Sequence, residues 1–167
     1  MPSMPSTSDS KFLRQARSRF LMRLFFLGKL PLALFAGLRI DEITAERCVV
    51  SLPYGWRSTN PFRSIYFAAQ AMAAELSTGA LAMAAIEASK APVALLIVGL
   101  EATFEKKAGA RVSFTCEAGP AISAAVARAI ETGEPQTVRA ETIGRLPDGA
   151  VAARFAFTWS FKKRLGK

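Results

Sequence analysis

One stretch limits the fold more than any other. From Arg63 to Ser89 the chain reads as a single long helix. Ala68, Ala69, Ala71, Ala73, Ala74, Ala80, Ala82, Ala84 and Ala85 keep that helix thin. Alanine is the strongest helix former, and small side chains on many sides let a second layer approach closely. Apolar residues lie on nearly every side, and a helix apolar all round is a buried one. The pattern predicts a central helix with a curved sheet wrapped around it. One carboxylate, Glu75, interrupts the apolar surface. A buried carboxylate is costly unless paired, and its pKa rises, which suits a general base. The Asn60-Pro61 pair just ahead sets a turn and makes Asn60 a candidate polar cap at the helix mouth. Glu87, near the far end of the helix, reads as solvated.

The rest of the chain supplies the sheet. Leu38 to Ile43 and Arg47 to Leu52 read as short strands, with Thr44-Ala45-Glu46 turning between them. Val93 to Val98 is solidly apolar, which predicts burial on both faces or a place in a dimer interface, and the strand runs on to Phe104. Arg111 to Glu117 alternates, with Val112, Phe114 and Cys116 on one face. A short helix spans Ala121 to Glu131, and Thr137 to Leu146 is the next strand. Pro147-Asp148-Gly149 turns the chain into a last strand, Val151 to Lys162, with Val151, Ala153, Phe155, Phe157, Trp159 and Phe161 on one face. There is no internal repeat and no linker. A chain of 167 residues is one domain here, spanning 11–167 after a Pro/Ser-rich, disordered tail over residues 1–10.

The chain has no histidine, which excludes Ser-His-Asp and Cys-His catalysis and any His-based zinc site. No Walker-type loop and no G-x-G-x-x-G fingerprint occurs. Carboxylate, tyrosine, amide or backbone groups must do any chemistry. Cys48 and Cys116 fall in strand patterns and read as buried thiols rather than a disulfide or a metal pair. The net charge of +9 gathers at the two ends of the chain. It reads as a solubilising face or as attraction to an anionic ligand such as the phosphates of coenzyme A. No nucleic-acid-binding motif is present.

At the N-terminus, Phe12, Ala16, Phe20, Leu24 and Leu27 recur at three and four, which predicts one helix over about 11–27 with an apolar stripe that covers an edge of the domain. Arg23, Lys29 and Pro31 interrupt the apolar run, so it predicts neither a membrane-spanning helix nor a cleaved signal peptide. Contact of this helix with a membrane surface is the alternative use of the stripe.

Thr59 to Glu75 reads T-N-P-F-R-S-I-Y-F-A-A-Q-A-M-A-A-E. It resembles hotdog-fold thioesterases of the phenylacetate-pathway type, which carry Asn-Pro-x-Gly-x-x-His-Gly-Gly, then small residues, then Asp or Glu. The motif's Asn, Pro and acid fall without a gap on Asn60, Pro61 and Glu75. Arg63 stands at its Gly, Tyr66 at its His, and Phe67 and Ala68 at its paired glycines. The chain is more similar still to an uncharacterised thioesterase-like branch that reads P-x-x-W-R-x-x-N-P-F-x-S-x-Y-F-x-A and then A-A-E, matched from Pro53, Trp56 and Arg57 through Asn60, Phe62, Ser64 and Phe67 to Glu75. The resemblance implies an α+β hotdog fold, an antiparallel sheet around a long central helix, with the N-terminal helix as an addition. It implies a homodimer, or a dimer of dimers, with each site shared between one chain's acid and the other's helix end. It implies hydrolysis of an acyl thioester on coenzyme A or an acyl carrier protein in the cytoplasm, without metal or redox cofactor. Glu75 would act as general base or nucleophile, with Asn60 and Tyr66 positioning the reacting groups. The N–H of Phe67 or Ala68 would polarise the carbonyl, while Arg63 meets a phosphate or carboxylate and Gln70 lines the pocket. The alternative is a non-catalytic acyl- or lipid-binding module.

Overall fold

The order of short helices at the start of the chain follows from two serines and a glycine. In this computed structural model, which describes residues 10–164, the Ser10 hydroxyl accepts the Leu13 N–H and starts α1 (Lys11–Arg17). All of the expected disordered tail except Ser10 lies outside the described residues. At Ser18 the backbone becomes extended (φ −92°, ψ 113°) and the hydroxyl turns to the Leu21 N–H, capping α2 (Arg19–Lys29). Serine competes with its own backbone in this way and so ends helices that apolar periodicity alone would continue. Pro31 starts α3 (Pro31–Ala36), and Gly37 closes it at φ 80°. The helix expected over 11–27 is therefore two helices. The break shifts the phase of the apolar stripe. Phe12 and Ala16 are buried, but Phe20, Leu24 and Leu27 face solvent while Met22 and Phe26 pack inward.

β1 (Arg39–Ile43) and β2 (Cys48–Leu52) form a hairpin, and the central helix α4 (Phe67–Ser89) follows. β3 (Val93–Phe104), β4 (Val112–Cys116), α5 (Gly119–Thr132), β5 (Gln136–Arg145) and β6 (Val151–Lys163) complete the chain. The six strands form one antiparallel sheet in the order β1-β2-β4-β5-β6-β3. α1 packs on β1 at one edge, and that strand is short and irregular between Ile40 and Glu42. The opposite edge is β3, twelve residues long, with an irregularity between Ile97 and Gly99. Val93 is buried there, but Leu96 and Val98 are exposed in the single chain, so the apolar run is an open edge and not a strand covered on both faces.

α4 begins four residues later than its composition predicts, because Ile65 donates its N–H to Ala108 O at 2.8 Å and Tyr66 donates to Ser58 O at 2.7 Å. Those bonds hold the preceding residues in a loop. Val50, Leu52, Phe114, Phe155, Phe157, Trp159 and Phe161 form the apolar layer of the core under the helix. Two polar latches fix the helix on that layer. Ser77 and Thr142 share a hydroxyl bond at 2.8 Å, and Trp159 Nε1 donates to Thr78 Oγ1 at 3.0 Å. Glu87 is not simply solvated: its Oε2 accepts the Phe12 N–H at 2.6 Å, an anion at the positive end of α1. Cys48 and Cys116 are free, buried and opposed across β2 and β4. Burial pushes both thiols up, Cys116 to about 11, so neither is ionised near neutrality.

Candidate active site

Asn60 organises the loop that leads to α4. Its side-chain oxygen accepts the N–H of Phe62 at 3.0 Å and of Ser64 at 3.3 Å, and its backbone carbonyl accepts the N–H of Arg63 at 3.0 Å. Asn60 thus caps its own loop and not α4, whose N-cap position is Tyr66. With the oxygen engaged, the side-chain NH2 is the part left to face a ligand. Arg63 sits at the turn of this loop with φ 55°, the left-handed region, and is exposed. Its position in the motif is a glycine, the residue that adopts such a φ without strain.

Asn60, Tyr66, Phe67 and Gln70 line one groove of about 480 Å³ with Phe104, Lys106 and Lys107 from the end of β3 and the turn after it. Tyr66 has an extended backbone and provides no side-chain cap. The first-turn N–H groups of Phe67 and Ala68 consequently have no acceptor among the described residues. A helix start with open N–H groups carries a partial positive charge and accepts an anion or a polarised carbonyl. Gln70 is 4 % exposed, and its Nε2 donates to Ile65 O at 3.2 Å. Since a carbonyl can only accept, that bond fixes the amide orientation and leaves Gln70 Oε1 buried with no partner. A buried polar atom without a partner is rare, and the residue that carries this one lines the groove. The Tyr66 hydroxyl makes no hydrogen bond among the described residues, and its ring stands edge-on to Phe67 at 5.0 Å. Lys106 pairs with Asp148 at 3.1 Å, whereas Lys107 has no ion pair among the described residues.

Glu75 lies elsewhere. It shares a face of α4 with Ala68, Ala71 and Met72, about 12 Å along the axis from Phe67, and it does not line the groove. It is exposed in the single chain, contrary to the expectation of a buried acid. No hydrogen bond or ion pair reaches its carboxylate among the described residues. Protein crowded around it still desolvates the group and raises its pKa above the ordinary 4.5. One chain therefore assembles the amide, the tyrosine and the open helix end, but does not bring the acid to them. Arg63 does not line the groove either. The groove residues from the end of β3 and its turn that sequence reasoning missed are Phe104, Glu105, Lys106, Lys107 and Ala108, with Glu105 already paired to Arg154 at 2.6 Å. A Lys-Lys pair in a turn is their only local signal.

A six-stranded antiparallel sheet around one long helix is the hotdog fold, and solved structures share it. A protein of unknown function from Pseudomonas aeruginosa, a probable thioesterase, superposes with a TM-score of 0.76 at 19 % identity, over 88 % of this chain and 97 % of that one. A thioesterase from Haemophilus influenzae superposes at 0.63 with 10 % identity, over 89 % and 93 %. Another thioesterase, from Pseudomonas aeruginosa, gives 0.65 at 15 % identity over 92 % and 100 %. These likenesses establish the fold. Residues 18–160 match the family described as "Domain of unknown function (DUF4442)", and the chain belongs to that family. No curated protein matches the chain in sequence.

Proposed function

We propose that the protein hydrolyses an acyl thioester carried on coenzyme A or an acyl carrier protein. The observation that carries this reading is the open first turn of α4 on a groove that Gln70, whose buried oxygen has no partner, also lines. The thioester carbonyl would accept the N–H of Phe67 or Ala68, and donors so placed are worth about 3–4 kcal/mol in an acyl-transfer transition state. The Asn60 NH2 and the Tyr66 hydroxyl would orient the substrate, and Gln70 Oε1 would accept from the attacking water or from an amide of the carrier arm. Lys107 supplies positive charge at the groove for carrier phosphates. The proton acceptor in this scheme is Glu75 of the partner subunit. A second copy paired along β3 would bring its own α4 toward the groove, and Leu96 and Val98 would be covered. Water attacks the carbonyl carbon, its proton passes to the carboxylate, and as the C–S bond breaks that proton passes on to the leaving sulfur, releasing acid and thiol.

A second reading, an acyl-binding module without turnover, is favoured by one observation: Glu75 is remote from the groove of its own chain. A screen of short, medium, long and aromatic acyl-CoAs with detection of free thiol separates the two. Turnover by the wild type that is lost in Glu75→Gln supports hydrolysis. Binding of acyl-CoA without thiol release from any class supports the module. Equal activity in Glu75→Gln moves the base to another residue.

A further inference from the structure

A second cavity, of about 450 Å³, lies between α2, α3 and β1 and shares no lining residue with the groove at the end of β3. Arg19 and Arg23 of α2, Arg39 of β1 and Arg57 of the loop after β2 all line it, and no acidic side chain does. Arg39 leans toward Asp41 at 3.9 Å, but Arg19, Arg23 and Arg57 have no ion pair among the described residues. The wall behind them is apolar, with Phe26 and Leu34. Gly37 makes room for the loop: a Cβ there would stand 3.0 Å from the Pro53 ring and 3.5 Å from an Arg57 guanidinium nitrogen, at a φ of 80°. Between Lys11 and Arg39 the sequence holds seven basic residues and no acidic one. Like charges gathered without counter-charges repel, and a bound anion would relieve the cluster.

Next to this cavity the apolar stripe displaced by the Ser18 break faces outward. Phe20 is 70 % exposed and Trp56 82 %, with Leu24, Leu27 and Phe35 also open to solvent. Phe35 stands edge-on to Trp56 at 6.0 Å, joining the tip of α3 to the loop that supplies Arg57. On α2 the arginines and the exposed apolar residues occupy neighbouring faces. A basic face beside an aromatic and aliphatic one is the pattern of a helix that lies at the surface of a bilayer. Among the described residues no helix is long and apolar enough to cross one. The lining comes from α2, α3, β1 and the chain just after β2, on the β1 side of the strand order, and none of it from the open edge strand β3.

We propose that this cavity holds the phosphate of an anionic phospholipid, with Phe20, Leu24, Leu27 and Trp56 dipping into the lipid around it. Planar guanidinium groups suit a phosphate oxygen array, and the apolar neighbours distinguish a lipid from a free phosphate or an acidic protein. The inference does not rest on thioester hydrolysis, and it stands or falls by lipid binding alone.

The test is co-sedimentation of the full chain with vesicles of phosphatidylcholine alone or mixed with phosphatidylglycerol, together with quenching of tryptophan emission. Trp159 is buried and gives a constant background, so a change in quenching reports Trp56. The expected result is binding to phosphatidylglycerol vesicles only, with Trp56 protected from the quencher. Each basic contact at a charged surface is worth roughly five-fold in binding. Arg23→Glu with Arg57→Glu should therefore cost at least ~10-fold, while Lys162→Glu with Lys163→Glu, the same charge change on β6, should cost less than ~3-fold. Phe20→Ser with Leu24→Ser should lose Trp56 protection, and thermal melting checks that each variant folds. Four results overturn the proposal: no vesicle binding at low salt, equal losses from both charge pairs, binding of inorganic pyrophosphate or an acidic carrier protein without vesicle binding, or a Trp56 already shielded in the free protein.

Discussion

A φ of 55° at Arg63 puts a long side chain where glycine is at ease, and the left-handed conformation costs an L-residue about 1–2 kcal/mol. Glycine recovers that cost and loses part of it to unfolded-chain freedom. Arg63→Gly should raise stability by about 0.5–1 kcal/mol, read from the denaturation midpoint at unchanged m. Glu75 gives the opposite kind of test. Its folded pKa is raised, so the fold favours the protonated acid; the contribution is present at low pH and is lost as pH rises through the folded pKa. Glu75→Gln should accordingly melt higher than wild type at neutral pH, with the gain vanishing below about pH 4, where the unfolded acid is also protonated. If Glu75 is the base, the same variant should lose about 10²–10⁴ in kcat, and wild-type activity should fall on the acid side through that raised pKa. A variant that is neither more stable nor less active at neutral pH would leave Glu75 without either role. The identity of Asn60, Tyr66, Phe67 and Gln70 as neighbours was legible because a local motif carries them. Phe104, Lys106 and Lys107 were not, since their place depends on how far β3 runs along β6, a strand distant in sequence.

At the scale of elements, strands were legible where one face is buried and the other wet, as in β4 and β6, because period-two alternation is written locally. Helix limits were less so. Alanine runs and apolar runs extend a helical reading past Arg63 and Ser18, and the bonds that stop it come from Ala108 in one case and from a single hydroxyl in the other. Two substitutions on α2 test the shifted phase. Phe26→Ala removes a fully buried ring and should cost about 3–5 kcal/mol in chemical denaturation, whereas Leu24→Ser on the exposed side should stay within about 0.5 kcal/mol. The reverse order would restore the unbroken stripe. The latch between α4 and β5 has a donor assignment. Ser77 donates to Ala74 O at 2.7 Å, so its oxygen accepts from Thr142. Thr142→Val keeps the shape, removes the donor and should cost about 1–2 kcal/mol by the same measurement.

For the whole molecule, sedimentation at micromolar concentration should give about twice the 18.0 kDa chain mass, and a clean monomer would remove the shared-site scheme. The two rims of the sheet are unequal. β1 is five residues long, interrupted at Ile40–Glu42 and flanked by α1, while β3 offers twelve residues of open backbone interrupted once near Val98. A sheet with two open rims can add neighbours without end, which is how fibres grow. If the packing of α1 keeps the β1 rim from pairing, the first neighbour would use up the remaining growing point on each chain, and assembly would be self-limiting. The helix packed on β1 would thereby serve as a terminator for the sheet.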